Sequence, residues 1–344
     1  MRRRGAKPHS SRRPRASGSG GTIGQRRNRA GGKHSADLQG AAVVVLIPCL
    51  NEEQTVGKVV RDFRREAPFA RIVVCDNGSI DQSVEAARQA GAEVVSESKR
   101  GKGHVIQSMF RTVRADAYLL VDGDDTYPAE AVTSLLAPVL AGQADMAVGS
   151  RTVAGAGSEF RRLNWAGNAA FRVVTNLLFP ARLTDVLSGY RCLSRRLVAA
   201  LPLFEGGFGV EAEITIKSLE RGFRVVEVPV RLRPRPKGSA SKIRVVRDGV
   251  TILATIGGLF RDYKPLTFFG GLGALLLLSG GAWLAARWPD ANGPSLAMVV
   301  LPPLLLTAAG GLLIAVGLIL HTLNRRFQEL EHLLQVGGAP PGEV

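Results

Sequence analysis

The sequence has only three cysteines, Cys49, Cys75 and Cys192, at wide spacing and with no CxxC pair. That excludes a disulfide framework and a thiolate zinc site, and it predicts three reduced structural thiols of the cytosolic kind. Histidine is as scarce: His9, His34, His104, His321 and His332 are scattered, which excludes a histidine metal site. The first 40 residues contain no apolar run and therefore no secretory signal. Acidic residues are nearly missing there as well. Eleven Lys/Arg stand against Asp37 alone, so this stretch supplies +10 of the formal net charge of +16. Such a segment buries too little apolar surface to offset its ordering entropy and is predicted to be disordered.

What is present is room, in 344 residues, for one sizeable α/β domain with appendages. The excess of 45 Lys+Arg over 29 Asp+Glu suits nucleic acid, an anionic membrane or an anionic substrate. Basic residues close to anionic lipid contribute roughly 1 kcal/mol each. Residues 1–40 are read either as such an attraction or as a solvated extension.

From residue 41 short apolar runs alternate with helical periodicity. Strands are predicted at Val43–Ile47, Ile72–Cys75, Glu93–Val95, Tyr118–Val121 and Met146–Val148, with helices to Glu66, to Ala90 and over Gly103–Arg114. Alternation of this kind implies right-handed βαβ units and a mostly parallel sheet. Ligands of such sheets lie beyond the carboxyl ends of the strands, where the polar clusters at Pro48, Asp76 and Asp122 fall. Farther on, helices are predicted over Arg161–Leu178 and Val210–Arg221 and a strand over Arg224–Val230, followed by a stretch dense in Arg, Lys and Pro.

Leu266–Trp288 and Leu296–Leu323 are long apolar stretches, with Arg287 at one edge. A 23-residue helix spans roughly 34 Å, enough for the ~30 Å hydrocarbon core. Trp283 and Trp288 suit an interfacial belt, and Pro302 and Pro303 mark a place where the second span could kink. Arg261 and Lys264 precede the pair, Arg325 and Arg326 follow it, and the loop Pro289–Ser295 has no Lys or Arg. The positive-inside rule puts both termini in the cytoplasm. Before the pair, Ile243, Val246, Val250, Leu253 and Ile256 recur at helical spacing, as in an interfacial helix or one packed on the domain.

Three clusters carry chemistry. Asp122-Gly123-Asp124-Asp125 follows an apolar strand, and clustered carboxylates there suit Mg²⁺ or Mn²⁺ bridging to a diphosphate. Asp76-Asn77-Gly78-Ser79 can bind a base or ribose, or form an ordinary Asx turn. Lys99-Arg100-Gly101-Lys102-Gly103 offers cations and small residues to a phosphate.

In order along residues 42–265 stand Pro48-Cys49-Leu50-Asn51-Glu52-Glu53, Asp76 to Asp81, Gly101-Lys102-Gly103, and Asp122 to Pro128. Gly149-Ser150-Arg151, Asp185 to Arg191, Gly209 to Glu213 and Gly238-Ser239-Ala240-Ser241-Lys242 follow. Together these motifs resemble glycosyltransferase family 2, in the branch of dolichyl-phosphate mannosyltransferase and bacterial polyprenyl-phosphate glycosyltransferases. The resemblance implies a GT-A fold, a divalent metal and an inverting transfer from a nucleotide-sugar (UDP-hexose or GDP-mannose) to polyprenyl phosphate. The product would be a lipid-linked sugar for envelope glycan or protein glycosylation.

It also implies residue roles. Asp76 contacts the base; Pro48, Asn51 and Glu52 shape the nucleotide pocket; Lys102 and Asp122 lie near the donor's diphosphate. Asp122, Asp124 and Asp125 hold the metal, although Thr126 replaces a glutamine common at that place and leaves the third ligand open. Arg151 and Arg191 counter phosphate charge, and Ser188, Arg191, Arg235 and Lys242 take the acceptor phosphate. Asp185 is the first candidate catalytic carboxylate and Glu211 the second. The expected domains are a basic tail (1–40), the GT-A domain (41–238), a juxtamembrane helix (239–264), a membrane hairpin (265–324) and a cytoplasmic tail (325–344). The glycines of the hairpin permit a homo-oligomer. A processive synthase lacks support because no QxxRW segment is present. Nucleic acid as partner would leave every carboxylate motif without a role.

Overall fold

A computed structural model describes residues 40–152, 159–179, 183–236, 245–287 and 296–337. In chain order these form β1 (Val43–Cys49), α1 (Val56–Glu66), β2 (Arg71–Asp76), α2 (Ser83–Gln89), β3 (Glu93–Ser96), α3 (Lys102–Thr112) and β4 (Ala117–Leu120). After a short 3-10 turn come α4 (Val132–Leu140), β5 (Met146–Thr152), α5 (Glu159–Leu178), β6 (Arg191–Ser194) and α6 (Arg195–Ala200). The remainder is α7 (Val210–Glu220), β7 (Val225–Arg231), α8 (Val245–Tyr263), α9 (Pro265–Arg287) and α10 (Leu296–Gly337).

The seven strands make one sheet in the order β3-β2-β1-β4-β6-β5-β7. The pairs β1–β2, β1–β4, β2–β3 and β5–β7 are parallel, and only β6 runs antiparallel to its neighbours β4 and β5. A central strand covered on both faces reads as an unbroken apolar run, and β1, VVVLIPC, does. Alternate residues go to opposite cores. Val45 and Ile47 pack with Val56, Val60, Phe63 and Leu135 on one face, while Val44 and Leu46 pack with Ile106, Met109, Phe110 and Ile214 on the other. The sequence pattern does not predict β6, α4 or α6. Four residues at the end of a polar motif are too few to carry a period of their own.

A third core cluster joins α7 and α8, where Ala212 and Ile216 meet Ile252, Ile256 and Leu259. Of the positions predicted as the apolar face of α8, Ile256 is buried here, whereas Val246, Val250 and Leu253 remain exposed. The helix therefore has two apolar faces, one docked on the domain and one bare. The docked face matches the reading of a helix packed on the domain.

α9 and α10 are two helices long and apolar enough to cross a membrane. They pack through small residues: Gly273 lies against Gly310 and Ile314, Gly280 against Pro303 and Leu306, and Gly317 against Phe269. Several glycines expected to serve an oligomer are thus used inside the hairpin. α10 continues as one helix through Pro302 and Pro303 and well beyond Leu323, to Gly337. The basic segment 1–39, Lys237, the motif Gly238-Ser239-Ala240-Ser241-Lys242, Trp288 with the loop Pro289–Ser295, and residues 338–344 lie outside the described residues.

Candidate active site

The carboxyl ends of β1, β2 and β4 face one crevice, and its loops are tied to one another. Asn51, in the left-handed region at φ 50°, donates its N–H to Ser79 Oγ (2.8 Å) and accepts from the Ile80 N–H through Oδ1 (2.8 Å). The Glu52 N–H donates to Ser83 Oγ (2.6 Å), and the Glu52 carboxylate accepts from Thr55 Oγ1 (3.1 Å). Asp76 accepts from the Gly78 and Ser79 N–H groups, an Asx turn. A carboxylate has lone pairs to spare beyond that turn, so it keeps the capacity to accept from a base. The Asn77 side chain donates to the Glu97 and Lys99 carbonyls and accepts from Gly101 N–H, which shapes the approach to Lys102. Pro48 pairs in register with Cys75 at the floor.

Lys102 is the hub of the next layer. Its Nζ lies 2.6 Å from Asp122 Oδ1 and 2.6 Å from Glu211 Oε1, joining residues far apart in sequence. Burial alone would push this ammonium down, but the two carboxylates outweigh it and hold it above the ordinary lysine value. Gly101 and Gly103 allow this placement, because a Cβ on either would run into the backbone of Glu205 and Gly206. A Cβ on Gly189 would stand 2.5–3.0 Å from the Asp122 carboxylate. Gly189→Ala is therefore expected to displace Asp122 and cut turnover about 10²-fold while the fold persists. Steady-state rates beside a melting curve would check this, and unchanged turnover would refute it.

Asp124 and Asp125 part company. Asp124 Oδ1 accepts from the Thr126 N–H (3.1 Å) and Oγ1 (2.6 Å), and Oδ2 meets the Arg235 guanidinium. Asp125, at φ 57°, turns away into a separate charge network. Its Oδ1 takes Lys58 Nζ (2.8 Å) and Arg233 Nη1 (3.2 Å), and Arg233 also grips Glu130 and Asp62. Asp125, expected as a metal ligand, thus pairs with Lys58 and Arg233 at the base of the acidic loop. Among the described residues no three His, Cys, Asp or Glu side chains gather closely enough to hold a metal alone. Asp122 and Asp124 are hard oxygen donors of the right type, and a diphosphate could complete the set.

The expected phosphate ligands separate too. Arg151 and Asp185 form a bidentate pair, Nε to Oδ2 at 2.5 Å and Nη2 to Oδ1 at 2.7 Å, and the Arg151 and Leu187 amides also donate to that carboxylate. Burial would raise the Asp185 carboxyl, but Arg151 outweighs it and holds it below its ordinary value. Asp185, expected as the first catalytic carboxylate, has both oxygens engaged by Arg151 and by backbone amides. Arg191 is fully buried, its guanidinium donating to Val186 O, Ser188 O and Thr215 Oγ1 at 2.6–2.7 Å. Ser188 Oγ, also buried, donates to Gly149 O at 2.6 Å. Both expected phosphate ligands are thus taken up by protein acceptors inside the loop.

Sequence reasoning overlooked Lys58, Glu130 and Glu227. Glu227 accepts from the Thr184 and Asp185 amides and so fastens the Asp185 loop. A lone acid in the strand VVEVPVR was a usable signal for it. Lys58 and Asp62, four apart, read as an ordinary surface helix pair, and nothing local gives them away.

The profile described as Glycosyl transferase family 2 matches residues 44–201. Glycosyltransferase AglJ of Haloferax volcanii is 33% identical over 251 residues, covering 72% of this chain and 82% of the relative. The dolichyl-phosphate hexose transferase of the same organism is 33% identical, over 56% of this chain and 83% of its own. An undecaprenyl-phosphate mannosyltransferase of Micrococcus luteus is 27% identical, over 65% and 97%. Among solved structures, glucosyl-3-phosphoglycerate synthase from Mycobacterium tuberculosis with Mn²⁺, UDP and phosphoglyceric acid superposes at TM-score 0.57. It is 22% identical, over 67% of this chain and 82% of that one, and shares the fold.

Proposed function

The chain belongs to glycosyl transferase family 2, and we propose that it transfers a hexose from a nucleotide-sugar, a UDP-hexose or GDP-mannose, to the phosphate of a membrane polyprenyl-phosphate. The observation that carries this reading is the join between the crevice and the apolar hairpin. α8 is docked on the catalytic domain by Ile252, Ile256 and Leu259 and leads, through Lys264, directly into α9. A lipid phosphate at the membrane surface is the acceptor such an arrangement would serve. Relatives named for dolichyl-phosphate and undecaprenyl-phosphate transfer support it.

In the reaction the bond from the sugar C1 to the donor's diphosphate breaks, and a bond from C1 to a lipid phosphate oxygen forms from the opposite face. The nucleoside diphosphate leaves with the electron pair. The acceptor phosphate is already ionised at neutral pH, so no strong base is needed, and positioning with charge stabilisation carries the rate. Asp122 and Asp124 would hold Mg²⁺ or Mn²⁺, which neutralises charge building on the leaving diphosphate. Lys102 keeps Asp122 in place, and Glu211, on the same ammonium, lines the crevice beside it. Arg151 and Arg235 lower the repulsion between two anionic substrates. The basic residues Arg261, Lys264, Arg325 and Arg326 flanking the hairpin support, by the positive-inside rule, a crevice and both termini on the cytoplasmic side of the inner membrane.

Purified protein with undecaprenyl phosphate, Mn²⁺ and a panel of labelled nucleotide-sugars should carry label from one donor into the organic phase. Nucleotide release without lipid label would move the reading to another acceptor. Neither product from folded protein would sink it.

A further inference from the structure

α10 is 42 residues long, about 63 Å at 1.5 Å per residue, roughly twice what a bilayer core needs. Asn324 Nδ2 donates to Asp262 O at 2.5 Å, which sets the level of residue 324 beside the charged α8–α9 junction. Beyond it the helix runs on for 13 more residues, past the start of α9, with nothing of α9 left to cover it. Leu320, Leu323, Phe327, Leu330 and Leu333 are all exposed.

The first four follow one another at intervals of three, four and three residues, and Leu334 continues the series by another four. That is the a/d spacing of a coiled coil, with Leu320, Phe327 and Leu334 at a and Leu323 and Leu330 at d. α9 packs on a different face of α10, the one carrying Gly310, Ile314 and Gly317. We infer that this end of α10 is a parallel coiled-coil seam whose occupant is a second copy of this chain. The inference needs the hairpin to cross a membrane but is independent of the sugar, the acceptor and the metal.

Two observations select that occupant. Copies inserted in one membrane share one orientation, so identical helices meet parallel and in register. In that register Arg326 is at g and Glu331 at the e position five residues on, the positions that face each other between parallel helices with opposite charge. Arg326 pairs with Glu329 of its own helix at 2.9 Å, between two exposed groups, a weak interaction easily exchanged. Two heptads are marginal alone, but confinement in a membrane raises the effective concentration of the partner.

The test uses the full chain in membranes, where the native cysteines are buried and silent. Leu323→Cys, Phe327→Cys and Leu330→Cys should each oxidise to a disulfide-linked dimer, at least about 5-fold more than Arg325→Cys and Gln328→Cys, which lie at f and b. Arg326→Glu should suppress the dimer, and adding Glu331→Arg should restore it. A flat profile along 323–330, or strongest linking at 325 and 328, would overturn the inference. So would quenching of a fluorophore at Phe327→Cys by brominated lipid, which would place the stripe on the bilayer.

Discussion

Asp124→Asn is expected to abolish transfer, by at least about 10³-fold, while leaving the domain folded. The substitution keeps Oδ1, so the bonds from Thr126 N–H and Oγ1 survive and the loop holds its shape. What disappears is the charge. A neutral amide is a poor ligand for a hard divalent cation, and its NH₂ would face the Arg235 guanidinium, a donor against a donor. Binding of UDP should therefore lose its dependence on Mn²⁺, measured by titration with and without the ion. Full Mn²⁺-dependent nucleotide binding by this variant would show that Asp124 is not a metal ligand. Asp125→Asn should behave differently. Its partners are Lys58 and Arg233, so the loss falls on the anchoring of the loop and leaves a measurable fraction of the activity.

Lys102→Met carries the second large effect. Removing the ammonium leaves Asp122 and Glu211 within reach of each other and without their shared cation. Breaking a buried pair from one side costs about 3–5 kcal/mol, and the partial exposure of Asp122 favours the lower end. Activity should fall by about 10²-fold or more, because the carboxylate beside the donor's diphosphate loses its position. The pH response separates this account from simple loss of packing. In the parent the Lys102 value is raised, so its contribution is complete below the ordinary lysine range and is lost only as the pH rises through the raised value. Stability from this group is then flat across about pH 6–9. In the variant two facing carboxylates cannot both stay ionised cheaply, so stability should recover as the pH falls and a proton enters the pair. Thermal melts of parent and variant across that range give the answer. A loss independent of pH would mean that Lys102 acts through packing alone.

Much of this protein was legible in its sequence. The unbroken apolar runs of β1, β2 and β4 mark strands covered on both faces, and the polar clusters that follow them fall at the carboxyl ends by the geometry of βαβ units. The two apolar helices follow from length and composition, and the family from ordered motifs. These are local properties, set by periodicity and by neighbours a few residues away.

Only the tertiary structure decided which charges meet. It joined Lys102 to Glu211 and Asp122, turned Asp125 toward Lys58 and Arg233, sealed Arg191 inside its loop and spent Asp185 on Arg151. A motif names a carboxylate or an arginine but not the direction of its side chain. That direction is set by which oppositely charged or hydrogen-bonding groups the fold brings within about 3 Å, because a buried charge without such a partner is too costly to keep.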